Sequence, residues 1–177
     1  MKVKFVFLII LILFCSACSK DVKLSDYPAL NDEVGSVVDE LNEGGNFNDI
    51  TYDGFDLVIE EGESMYDVFY STNCSKMTLS FSEDFKLGWI IYKKNDVCEG
   101  DEVFSKDVWD KQVFDILSLE RFGVSDDSFP GITGDTLADY KKHMEGKSDK
   151  ESITTDNGIM IAYDPDIYLF GIFDTNI

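Results

Sequence analysis

Met65-Tyr-Asp-Val-Phe-Tyr-Ser71, Met77-Thr-Leu-Ser-Phe-Ser82 and Lys86-Leu-Gly-Trp-Ile-Ile-Tyr-Lys93 follow one another with only short polar connections. Each run is rich in aromatic and β-branched residues, and in the second Met77, Leu79 and Phe81 alternate with polar neighbours. Alternation with a period of two places every second side chain on one face of a strand. Connections this short join neighbours that run antiparallel, because a parallel return needs a dozen or more residues. The three runs therefore predict the middle of an antiparallel meander, with Leu87, Trp89 and Ile91 expected to share a face.

Upstream, Ile50 and Tyr52 precede Asp53-Gly54, a dipeptide suited to a tight hairpin turn, and Phe55, Leu57 and Ile59 resume the alternation before Gly62. That reading brings the meander to about five strands. Before it, Leu30, Val34, Val37, Val38 and Leu41 recur at helical spacing. Asn31 is the expected N-cap, Asp32 and Glu33 fill the first turn, and Gly44-Gly45 ends the helix.

Downstream, a second helix is expected over residues 105–122, with Phe104, Val108, Trp109, Val113, Ile116 and Leu117 on one broad face. A third is expected over 136–145, with Leu137, Tyr140 and Met144 inward and Lys141, Lys142 and His143 near its end. Residues 147–155 read as a polar loop. Residues 158–163 and 167–173, joined by Asp164-Pro165-Asp166, read as a C-terminal hairpin. Its last strand is apolar on both faces, which implies central burial or a helical cover. Strands in runs with helices around them define the class α+β: an antiparallel sheet packed with about three helices.

The N-terminus has a different character. Lys2 and Lys4 precede ten unbroken apolar residues, Phe5 to Phe14, and Ser16-Ala17 lead to Cys18. A positive start, a short apolar run and a small-residue cleavage site make a secretory signal. The apolar run is about half the ~20 residues a membrane span requires. Cys15-Ser16-Ala17-Cys18 resembles the lipobox of bacterial lipoproteins, although Cys15 stands where that family usually has Leu. The resemblance covers some twenty residues. It implies that residues 1–17 are removed, that Cys18 carries a diacylglycerol, and that the mature chain is anchored to a membrane without spanning it. Ser19 is compatible with an outer membrane, facing the periplasm. Residues 18–28 then read as a lipidated tether and 29–177 as one globular domain.

Composition bounds the function. Aromatic residues make up 14% and hydrophobic residues 44%, enough to exclude intrinsic disorder. The formal charge is −20, and losing Lys2 and Lys4 with the leader takes it to −22. Such acidity argues against nucleic acid and against adhesion to anionic lipid, and favours encounter with a basic protein or a cation. With Cys15 removed and Cys18 lipidated, Cys74 and Cys98 remain as a pair in an oxidising compartment. They flank the expected fourth and fifth strands at the same end of a hairpin. A structural disulfide is favoured over a redox or metal pair, because C-x-x-C spacing is absent.

Asp49-Ile-Thr-Tyr-Asp53-Gly54-Phe-Asp-Leu-Val-Ile-Glu60 resembles the EF-hand calcium loop, with acids at its first, fifth and twelfth positions and Gly at its sixth. Thr51 and Asp56 depart from that pattern and neither flank reads as helix. A hairpin is therefore the preferred reading, leaving Asp49, Asp53 and Glu60 as weak metal candidates. His143 is the sole histidine, which excludes sites needing two. No G-x-S-x-G, S-x-x-K, Walker or H-E-x-x-H motif occurs. The expectation is a non-catalytic, cofactor-free envelope lipoprotein that binds a protein partner, in its specific form an immunity-type inhibitor of a periplasmic toxin. A structural or assembly accessory of the outer membrane is the alternative. Asp96, Glu99, Asp101, Glu102 and Trp109 are the candidate contact residues.

Overall fold

The computed structural model describes residues 22–47, 50–60, 63–95, 105–123, 152–154, 158–164 and 168–177. Helix α1 spans Pro28–Glu43 and α2 spans Lys106–Leu117. The strands are β1 (Thr51–Glu60), β2 (Glu63–Ser71), β3 (Ser75–Phe81), β4 (Leu87–Lys94), β5 (Ser152–Thr154), β6 (Ile159–Asp164) and β7 (Leu169–Asp174). Among the described residues they form one antiparallel sheet in the order β1-β2-β3-β4-β7-β6-β5. The class is thus α+β with a core made mostly by the sheet. The helix expected over 136–145 lies outside the described residues.

One row of side chains shows how the sheet builds its core. Phe55, Val68, Leu79, Ile90, Ile172 and Ile161 are paired directly across six strands, so all six point to one face. Five of them are buried and Phe55 is half-buried. Both helices cover this face. Leu30, Val34, Val37 and Leu41 of α1, each at most 2% exposed, join the same cluster as Trp109, Val113, Ile116 and Leu117 of α2. Each such side chain contributes about 1.5–3 kcal/mol relative to leaving it in water.

β7 lies inside the sheet between β4 and β6 and buries Phe170, Gly171 and Ile172. That placement explains a strand apolar on both faces. The opposite face of the sheet carries the half-buried Met65, Phe69, Trp89, Ile91 and Phe173.

Several expectations are corrected. Asp53-Gly54 makes no turn: β1 runs unbroken through it, with a register shift between Tyr52 and Gly54. Glu60 pairs with Glu63, so the chain reverses there and the meander has four strands. The gain is physical, since a ten-residue β1 pairs with all of β2 and the extra residue is absorbed as a bulge at glycine. A bulge and Asp56 also blunt the outer edge that β1 presents.

Ile90 and Tyr92 point inward with Leu87, while Trp89 and Ile91 turn to the other face. A register shift where Phe81 pairs with Leu87 sets that phase. α1 starts at Pro28 and not after Asn31, because proline's fixed φ suits a first helical position. The folded region begins earlier than residue 29: Leu24 is buried, and Tyr27 packs its ring on Phe55, Tyr66 and Phe85. α2 ends at Leu117, and a 3-10 turn over Glu120–Phe122 buries Phe122. Part of the expected polar loop forms β5.

Candidate functional site

α1 carries Asp32, Glu33, Asp39, Glu40 and Glu43 and no lysine or arginine. Positions 32, 35, 36, 39 and 43 recur at three- and four-residue spacing, so they form one stripe opposite the buried one. The stripe makes one wall of a groove of about 810 Å³. The other wall is the end of α2 and the turn after it, with Asp115, Ser118, Leu119 and Glu120. Six carboxylates line this groove (Asp32, Asp39, Glu40, Glu43, Asp115 and Glu120), and among the described residues no basic side chain does.

Two of the six are tied down. Arg121 bridges the walls: it donates through Nε to Glu40 Oε2 at 3.1 Å and through Nη2 to Ser36 Oγ at 2.7 Å, and Nη1 pairs with Glu33. The backbone N–H of Glu120 donates to Glu40 Oε1 at 2.6 Å. Glu40 thus locks the turn to α1. Asp115 accepts two hydrogen bonds from Asn46 Nδ2, at 3.1 and 2.9 Å. It reaches so close to Gly44 that any Cβ there would collide with its carboxylate. Partial burial raises the Asp115 carboxyl above the usual carboxylate range, against the lowering by Asn46.

The other four, Asp32, Asp39, Glu43 and Glu120, are exposed and have no ion-pair partner among the described residues. Eleven residues separate Asp32 from Glu43, about 16 Å along a helix. Glu43 stands in the last turn of α1, where the helix dipole disfavours negative charge and no basic residue offsets it. Among the described residues no three acidic, histidine or cysteine side chains are grouped as metal ligands. The carboxylates are spread along a wall, an arrangement suited to several cationic groups on one surface.

The residues singled out from sequence fare differently. Trp109 is 1% exposed and stacks on Tyr92, ring centroids 4.4 Å apart, so it is core and not a contact residue. Its apolar helical stripe outweighed any surface role. Asp96, Glu99, Asp101 and Glu102 lie outside the described residues, as do Cys18, Asp49, Cys98 and His143. Asp53 sits in extended β1, where it accepts a hydrogen bond from Ser71 Oγ at 2.9 Å. Positions 53 and 60 are seven residues apart in extended β1, about 23 Å along the strand.

Cys74 is disulfide-bonded. Asn95 N–H donates to Cys74 O at 2.8 Å beyond the Ser75–Lys94 pair, so the chain toward Cys98 leaves β4 right beside Cys74.

The groove carboxylates escaped the sequence reading because acids on a helix usually mean only a solvated face. The available signal was five acids without one base in sixteen residues, two of them near the end where they are least welcome.

A second, less polar groove of about 680 Å³ lies where the chain enters the fold. It is lined by Val22, Leu24, Val34, Gly35, Tyr52, Phe55 and Tyr70 together with Lys23, Ser25 and Asn31. Tyr52 and Tyr70 meet edge to face at 5.8 Å, and burial raises the Tyr70 hydroxyl above its ordinary value, with a smaller rise from Tyr52. Comparison with protein-family models, with curated proteins and with solved structures finds no match.

Proposed function

We propose that this chain is a non-catalytic envelope lipoprotein, anchored through lipid on Cys18, whose acidic groove binds a basic protein partner. Its specific form is an immunity-type inhibitor that neutralises a toxin reaching the periplasm. The observation that supports this reading is the row of exposed carboxylates on α1 and Glu120, facing no cation of their own among the described residues. Several acids spread over about 16 Å match a surface bearing several lysines or arginines. Charge complementarity of that kind raises association rate and specificity more than it raises affinity.

Glu43 near the helix C-terminus costs the helix some stability, an arrangement expected where the charge serves binding. No helix among the described residues is long and apolar enough to cross a membrane. Lipid on Cys18 is the proposed means of attachment, in an outer membrane with the domain in the periplasm.

Two experiments test the reading. Metabolic labelling with palmitate is expected to mark the wild-type chain and not Cys18→Ala; an unlabelled wild type contradicts the anchor. Unlipidated residues 19–177 are expected to capture a basic protein from envelope or secreted proteins of the source cell at low salt and to release it at high salt. Salt-resistant capture of a membrane-assembly component would support the accessory role in its place.

A further inference from the structure

The less polar groove and the lipidated cysteine are neighbours by chain length alone. Four residues separate Cys18 from Val22, which lines the groove, and a chain of four residues reaches at most about 14 Å. An anchored Cys18 therefore keeps the mouth of this groove within about 14 Å of the bilayer surface.

The side chains there suit that place. Val22 is 37% exposed and Tyr52 is 47% exposed, on a molecule whose formal charge is strongly negative. Isolated exposed apolar residues are ordinary, but these two flank one groove with Phe55, Val34 and Tyr70 behind them. Tyrosine sits well at a membrane interface, with its ring in the apolar layer and its hydroxyl among headgroups, and Lys23 on the same rim offers a positive charge. A Cβ built on Gly35 meets nothing within 4 Å, so a larger side chain at this lining position has open space to extend into. Asn31 and Gly35 line both grooves, so Asp32 stands near this rim, while the exposed carboxylates Asp39 and Glu43 lie further along α1 toward its C-terminal end.

We propose that this groove, with Val22 and Tyr52 on its rim, is the face the domain rests on its bilayer, and that the end of a phospholipid acyl chain occupies it. The inference rests on lipidation of Cys18. The orientation it implies leaves the C-terminal half of α1, with its acids, turned away from the lipid and open to a partner.

The test uses the lipidated full-length chain in vesicles of phosphatidylcholine brominated on its acyl chains, with Tyr52→Trp as reporter and Val108→Trp as control. Both positions are exposed, so both variants tolerate the ring. Flotation of the same sample reads the anchor separately: a chain that does not float overturns the lipoprotein reading and this proposal with it. In floating protein, Y52W is expected to lose most of its added emission to the bromines while V108W keeps it. Adding Gly35→Leu, which fills the groove, is expected to restore much of the Y52W emission. Floating protein in which Y52W escapes the bromines but is quenched by aqueous iodide would show a groove open to water, and would overturn the proposal alone. Shielding of Y52W from both quenchers would place the protein's own anchor chain in the groove and would overturn it equally.

Discussion

Tyr92 joins three elements through one hydroxyl. It donates to Gln112 Oε1 of α2 at 2.5 Å and lies 2.8 Å from Ser75 Oγ of β3, while Gln112 Nε2 donates to Asn46 O at 2.9 Å. Tyr92→Phe keeps the ring stack on Trp109 but leaves Gln112 Oε1 buried without its donor. The expected cost is about 1–3 kcal/mol, read as a lower urea midpoint with an unchanged slope. Burial also pushes the Tyr92 hydroxyl well above its ordinary value, against an opposing hydrogen bond from Ser75. A folded pKa above the unfolded one gives stability that is complete below about pH 10 and is lost as pH rises beyond it. Wild type is thus expected to lose stability more steeply than Tyr92→Phe above pH 10.

Asp115 follows the same sign in another pH range, because its folded pKa is also raised. Its ionisation weighs against the fold as pH climbs through that value, so Asp115→Asn is expected to melt higher than wild type at pH 7. The difference should shrink as pH falls below the usual carboxylate value, where both side chains are neutral. At this scale the sequence was least informative. Trp109 looked like a contact residue and is core, while Asp115 is distinguished only by neighbours that folding brings from α1's end.

The helices and central strands are the elements that sequence reads best, because a stripe of Leu and Val at helical spacing has one stable use. α1 buries four of its five expected stripe residues and half-buries Val38. Gly35 stands on its open side, where glycine costs helix stability and contributes no contact. Gly35→Ala is expected to stabilise by about 0.5–1 kcal/mol in urea denaturation, since its Cβ meets nothing within 4 Å.

Asp53-Gly54 misled because a turn dipeptide and a glycine bulge look alike until the partner strand is known. β2 offered enough backbone to extend β1 straight through it.

The disulfide belongs to the same scale. With Cys98 as the partner of Cys74, the bond closes a loop of about 25 residues and stabilises by about 3 kcal/mol through the unfolded chain. Peptide mapping without reductant is expected to give a linked Cys74–Cys98 peptide and reduction to lower the urea midpoint. A freely alkylated Cys98 in the oxidised protein would contradict the pairing.

Over the whole molecule the dominant fact is charge. Residues 19–177 carry a formal charge of −22 and repel one another, so added salt is expected to raise their melting temperature even as it weakens a charged complex. The sign of that charge was legible from composition. Its distribution was not, because only the fold gathers α1, Asp115 and Glu120 around one groove. Topology also connects the proposed lipidation site to the groove: α1 starts ten residues after Cys18 and ends at Glu43, within the acidic wall.

The most direct test is capture from the cell's envelope and secreted proteins by two versions of residues 19–177, wild type and Asp32→Asn/Asp39→Asn/Glu43→Gln. Both are washed at the same low salt. These three substitutions lie on an exposed helix face and are expected to leave the fold intact, which circular dichroism verifies. Wild type is expected to retain a basic protein and the triple variant to lose most of it. Equal retention by the two would contradict the claim that this groove is where the partner binds.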